Sequence, residues 1–167
     1  GDVTTRVSSC YGISEILVLC DQASLKPYMS KLAGKLINVF GGKFPSQLKE
    51  AILQTMCCTL ETGGAMIKAF APQLQSTFIK GIKDEDTATR DQAQNGLSLL
   101  VKVTPRPDAL VAETAGVIGP TDSREVQLSA FRALDTILDS LTKPPNATAI
   151  TKLQAALEKA ESYTPDF

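Results

Sequence analysis

The sequence predicts an all-α fold, a row of antiparallel helix hairpins, and three observations carry that prediction. Apolar residues return at three- and four-residue steps, as in Ala93, Leu97, Leu100 and Val101, or Ala130, Leu134, Ile137, Leu138 and Leu141. No stretch alternates with period two for long enough to suggest a sheet. Helix breakers punctuate the chain at Gly41-Gly42, Gly63-Gly64, Thr104-Pro105, Gly119-Pro120 and Pro144-Pro145. The connections they leave are roughly two to six residues long, short enough to fold each helix back on its predecessor.

That punctuation gives about eight helices, at 3–20, 23–40, 45–62, 65–83, 86–103, 107–118, 121–141 and 146–162. The second contains Pro27 and stops at the first glycine pair, and the third stops at the second pair. Both pairs read as helix C-caps, where glycine accepts a left-handed backbone. The fourth helix contains Pro72 deep enough that a kink is expected. The fifth opens on Asp86, whose carboxylate can accept from the free N–H groups of a first turn. Pro107 can start the sixth, since a first-turn residue needs no donor. Thr121 or Asp122 stands where the N-cap of the seventh belongs. The last helix carries Ile150, Leu153, Leu157 and Ala160 on one face. No linker is long enough to mark a domain boundary, so residues 1–167 read as one unit. Its hairpins are expected at 23–62, 65–103 and 107–141, with partial ones at 1–20 and 146–162.

Composition excludes several chemistries. With no histidine, the 167 residues cannot build a Ser-His-Asp or Cys-His centre or a histidine metal site. The net charge of −1 exerts no general pull on nucleic acid. Cys10, Cys20, Cys57 and Cys58 lack zinc-site spacing and sit in apolar periodic stretches, as reduced and mostly buried packing residues would. They point to a reducing compartment, and hence to the cytoplasm. No apolar run approaches a membrane span, and no signal peptide opens the sequence. Asn146-Ala147-Thr148 matches a glycosylation sequon, a pattern common by chance. Charge is uneven: residues 1–83 carry 9 basic and 5 acidic side chains, and residues 84–167 carry 8 and 13. Lys26, Lys31, Lys35, Lys43 and Lys49 form the densest basic set, read either as a solvated face or as a contact for acidic protein or RNA phosphate.

Alternate helices repeat one another. Arg6 follows Asp2 by four residues and precedes Gly12-Ile13 by six; Arg90 stands in the same relation to Asp86 and Gly96-Leu97. Lys49 leads to Thr55-Met56, and Gln127 to Ala133-Leu134, at that same offset. The anchors 12, 55, 96 and 133 lie 43, 41 and 37 residues apart, the period of a two-helix solenoid unit. Each such hairpin has too little core alone and buries a face against the next. Small residues at Gly12, Gly96 and Ala133 are expected to admit a neighbouring helix at close range. A substitution Gly96→Leu is therefore expected to fold worse than Gly96→Ala.

These units resemble HEAT repeats, whose second helix opens with an Asp, then a Val-Arg-like pair, then a small central residue. Asp86-Thr87-Ala88-Thr89-Arg90 keeps the Asp and Arg; Ser123-Arg124-Glu125-Val126-Gln127 keeps the Val alone. The resemblance implies a right-handed α-α superhelix of HEAT-type hairpins. It also implies a structural ladder between units through Asp2, Arg6, Asp86 and Arg90. The register opens on a second-type helix and closes on a first-type one, and Gly1 looks like a tag-cleavage residue. A piece of a longer solenoid is expected, with apolar faces bared at both ends.

One stretch is more specific. Phe70-Ala71-Pro72-Gln73-Leu74-Gln75-Ser76-Thr77-Phe78-Ile79-Lys80 resembles the P-Q-L-Q-[ST]-T-F segment of the very large translational activators of general amino-acid control. Leu25-Lys26-Pro27-Tyr28, the series from Leu32 through Leu53, and Asp91-Gln92-Ala93 with Gly96-Leu97 are similar to that family too. The likeness covers roughly 20–118, while Gly81-Ile82 and Glu85-Asp86-Thr87 depart from it. It implies a scaffold that binds translating ribosomes and the starvation-sensing initiation-factor kinase, whose RWD domain docks on the C-terminal HEAT region. Candidates for protein binding are then Lys26, Lys31, Lys35, Lys43, Lys49 and Arg90. A HEAT segment of another large adaptor, or a basic-helix contact to ribosomal RNA, remains an alternative reading.

No enzyme, cofactor or small-molecule substrate is expected. Gly41-Gly42-Lys43 lacks phosphate-loop spacing. Asp84, Glu85, Asp86 and Asp91 sit on a turn and a first helical turn, where negative charge suits the helix dipole, and they lack calcium-loop spacing. Tyr11, Tyr28 and Tyr163 are too dispersed for a base-stacking platform. Phe40, Phe44, Phe70, Phe78 and Phe131 read as core.

Overall fold

The computed structural model describes residues 2–119 and 122–161. Among them the order is α1 (Val3–Leu19), α2 (Gln22–Phe40), α3 (Ser46–Gly63), a 3-10 segment (Gly64–Phe70), α4 (Ala71–Ile82), α5 (Thr87–Leu100), α6 (Pro107–Ala115), α7 (Arg124–Asp139) and α8 (Ala147–Glu161). The fold is all-α, and its helices lie in two layers. In one, α1 packs on α3, α3 on α5 and α5 on α7. In the other, α2 meets the 3-10 segment and α4, α4 meets α6, and α6 meets α8. The layers are joined where α2 covers α3, α4 covers α5 and α6 covers α7. This is a HEAT-like stack of helical hairpins.

The starts of the helices follow from single oxygens. Asp2, Asp21 and Asp86 each accept a backbone N–H from the third residue onward, at 2.8, 3.0 and 2.8 Å. The cap of α7 is neither Thr121, which lies outside the described residues, nor Asp122. It is Ser123, whose Oγ accepts from Val126 N at 3.3 Å, while Asp122 turns back to accept from Gly119 N at 3.0 Å. The sequon asparagine also caps: Asn146 Oδ1 accepts from Ala149 N at 2.9 Å.

The expected kink at Pro72 is absent for a physical reason. The helix foreseen at 65–83 is divided, and Pro72 falls in the first turn of α4, where its missing donor costs nothing. Ahead of it the chain is 3-10: the Ala71 N–H reaches the Lys68 carbonyl, which an α-helical Pro72 could not serve. Of the glycine caps, Gly64 alone among the described residues takes a positive φ, +45°, and its N–H bonds the Leu60 carbonyl. Gly41 caps α2 in the ordinary right-handed region.

The core runs the length of the stack, through Met29, Leu48, Ile52, Leu53, Met56, Ile67, Leu74, Phe78, Leu97, Leu100 and Leu110. Phe40 and Phe78 are buried, while Phe44, Phe70 and Phe131 pack on the core half-buried. All four cysteines are free thiols; Cys10 and Cys57 are buried, Cys58 is half-buried, and Cys20 is exposed at the end of α1. Burial, helped by the nearby Cys58 and Glu61, pushes the Cys57 thiol up to about 12.

The repeat anchors behave differently from one another. At Gly96 a Cβ would stand 2.1 Å from the buried Phe78 ring, so the glycine is what lets α4 lie down on α5. At Thr55 the hydroxyl ties α3 to α1, its neighbour in the same layer, donating to Cys10 O at 3.1 Å and accepting from Ser14 Oγ at 3.2 Å. Gly12 does not admit a close helix among the described residues: a Cβ there would meet nothing within 4 Å.

Candidate interaction surface

The basic residues singled out from sequence separate into two groups. Lys26, Lys31, Lys35 and Lys43 are exposed, the first three on α2 and the last on the loop that follows. Lys31 and Lys35 stand one turn apart on the same face, whereas Lys26, five residues before Lys31, is well off that line. Lys49 is half-buried and committed: its Nζ donates to Asp84 Oδ2 at 2.6 Å. That bond ties α3 to the loop between α4 and α5. Lys83 reaches Asp122 at 3.5 Å and ties the end of α4 to the next such loop.

Arg90 is a correction. It is 5% exposed, which puts it out of reach of a partner. Its Nη1 donates to the carbonyls of Asp84 and Glu85 at 2.9 and 2.8 Å, and its Nη2 to Thr87 Oγ1 at 3.0 Å. A guanidinium presents its donors in a fixed fork, so one side chain staples the whole turn before α5. Its Nε has no hydrogen-bond partner.

The ladder imagined through Asp2, Arg6, Asp86 and Arg90 is likewise built from other pairs. Asp2 and Asp86 are spent as caps, which holds both carboxyls below the usual range: for Asp2 the Thr5 side chain and then its N–H, for Asp86 the Thr89 N–H and then its hydroxyl. Arg6 lies over the Phe44 ring, 5.6 Å from its centroid. A rule does connect the equivalent positions Arg6, Lys49, Arg90 and Gln127: each sends a long polar side chain to a loop between paired helices. Arg6 and Lys49 reach the loop of the following hairpin. Arg90 and Gln127 reach their own, the latter donating from Nε2 to Gly119 O and Asp122 O at 3.0 and 3.3 Å. Charge type alone could not show which loop each would find.

The structure adds a feature that the sequence reading missed. Between α1 and α2, floored by Leu48 and Ile52 of α3, runs an apolar groove of about 590 Å³ with Arg6 and Lys35 on its rim. Val39 of its lining, 45% exposed, was the available signal: an apolar residue on a face that the periodicity does not assign to the core. No group of three or more acidic or cysteine side chains able to hold a metal occurs among the described residues. No helix among them is long and apolar enough to cross a membrane.

The amino-acid sequence matches short stretches of much longer proteins. The chain is 38% identical over 144 residues to the eIF-2-alpha kinase activator GCN1 of Dictyostelium discoideum, which covers 86% of this chain. The chain is homologous to a segment of GCN1. Other GCN1 relatives include the eIF-2-alpha kinase activator of Saccharomyces cerevisiae, 29% identical over 95% of the chain. The stalled ribosome sensor GCN1 of Homo sapiens is 28% identical over 83% of it. The chain spans only 5 to 6% of the length of these GCN1 proteins. No protein-family model matches it, and no solved structure does.

Proposed function

We propose that this chain is a protein-binding segment of a cytoplasmic translational regulator of the GCN1 kind, and that it docks the RWD domain of the initiation-factor kinase. It forms one continuous solenoid unit and works through its surface rather than by catalysing a reaction. The observation that carries this reading is the homology to proteins named for activating the eIF-2-alpha kinase, across most of the chain. The exposed lysines of α2 and its following loop, Lys26, Lys31, Lys35 and Lys43, supply the contact. Lys49 supports the fold, being already paired with Asp84.

Calorimetric titration of the folded chain with that RWD domain is expected to give saturable binding. Lys31→Glu with Lys35→Glu is expected to weaken it about tenfold or more, ~1.4 kcal/mol. Absence of heat at high micromolar concentration, with the helical circular dichroism intact, would count decisively against it. The same lysines favour a second reading, contact with ribosomal RNA. That reading requires an affinity that falls steeply as salt rises, because counterions are released from phosphate. The acidic excess of residues 84–167 argues for the protein partner.

A further inference from the structure

The second layer of helices carries a furrow that the exposed lysines of α2 do not line. Cavities of about 440, 380 and 420 Å³ lie between α2 and α4, between α4 and α6, and between α6 and α8. They run into one another: Pro72 and Ser76 line the first two, and Arg106 and Ala109 the last two. The ridges between them are low, because Ser76 and Ala109 are small. The middle cavity holds a polar group with nothing to bind. Gln75 lines it and is 5% exposed, yet its side-chain amide has no hydrogen-bond partner among the described residues. Gln127, the other buried glutamine among them, spends its amide on two carbonyls. Lys68, from the 3-10 segment, stands on one wall of the cavity and Arg106 on the other. Both are exposed, and neither makes an ion pair among the described residues. The acid of this lining, Glu113, lies about 10 Å further along α6.

We infer that this furrow is a docking groove for an extended acidic segment of a partner protein. A carboxamide offers a donor and an acceptor side by side, the complement of one peptide unit of a strand. Gln75 takes the main chain of the segment, and Lys68 and Arg106 take carboxylates on either side of it. The crossing from the first cavity to the third covers two helix spacings, ~20 Å. An extended chain spans that distance in about six residues. Nucleic acid fits the furrow less well. Asp108 and Glu113 stand in its walls, where they repel phosphate. The ring in its lining, Phe40, is buried and cannot stack on a base. The cations of the furrow are not the α2 lysines, so this is a second surface, and its test does not depend on the RWD domain.

The test titrates the chain into a fluorescently labelled peptide of alternating glutamate and alanine, about eight residues long, and follows its anisotropy. Saturable binding is expected. Lys68→Glu with Arg106→Glu is expected to weaken it about tenfold or more, and Gln75→Leu about fivefold. The same charge reversal at two exposed positions of the other layer, Arg124→Glu with Arg132→Glu, is expected to leave it unchanged. Gln75→Leu also separates binding from folding. It removes a buried amide that has no partner, so the urea midpoint holds or rises while affinity falls. Absence of saturable binding would overturn the inference, as would equal weakening by the two charge reversals. So would a Gln75→Leu protein that binds as before or unfolds at lower urea. Tighter binding of a polyuridine of equal charge would also overturn it, because the occupant would then be a nucleic acid.

Discussion

Two glycines at equivalent repeat positions make opposite demands on a methyl group. At Gly96 it would press into the buried Phe78 ring, an overpacking that costs about 1–3 kcal/mol. At Gly12 it meets nothing within 4 Å, and the helix gains about 1 kcal/mol from exchanging glycine for alanine. In urea unfolding, Gly12→Ala is expected to raise the midpoint and Gly96→Ala to lower it, with Gly96→Leu lower still. A Gly96→Ala protein as stable as the unsubstituted chain would show that Phe78 does not rest on this glycine. The thiols differ in a comparable way. The thiolate is the species that reacts, and burial holds Cys57 protonated with a value near 12. Alkylation of the native chain at pH 8, followed by peptide mass spectrometry, is expected to label the exposed Cys20 first and Cys57 last. Both differences lie in a three-dimensional neighbour, which is why the sequence, where the glycines and cysteines look alike, could not separate them.

At the level of single helices the sequence was informative, because starts and stops are local chemistry. Asp86 and Pro107 open their helices as their residue types require. Replacing Asp86 by alanine is expected to cost about 0.5–2 kcal/mol, with the loss centred on α5 in hydrogen exchange. The caps also set the acid limit. Hydrogen bonds from Thr5, Ser24 and Thr89 hold Asp2, Asp21 and Asp86 below the ordinary carboxylate value, so the folded state binds protons less readily than the unfolded chain. Their contribution is complete above the unfolded value of about 4 and is lost as pH falls through the lower folded values. The melting temperature is therefore expected to hold steady down to about pH 5 and to fall below pH 4, less so in Asp86→Asn. What escaped the sequence was competition between near-equal choices. Ser123 won the α7 cap from Asp122, and a 3-10 turn before Pro72 made a kink unnecessary.

On the scale of the whole chain, a stack whose members touch only their neighbours has no single core that holds everything together. Native-state exchange is expected to be slowest in α3 and α5, which are packed on both sides, and fastest in α1 and α8; uniform protection would contradict nearest-neighbour stacking. The repeat was legible because its period is written in residue spacing, and the exposed lysines of α2 because charge marks a surface. The loop that each long polar side chain would reach was not legible, since that depends on how far one hairpin is set over from the last. The ties so formed, Lys49 with Asp84 and Lys83 with Asp122, both lie along the edge where paired helices turn. The opposite edge is held by uncharged donors: the Asn146 N–H on Asp108 and the Gln22 amide on the Thr62 carbonyl. Dissolved ions weaken the first edge more than the second. The two edges of the stack are thus expected to answer salt unequally, the edge where paired helices turn loosening before the other.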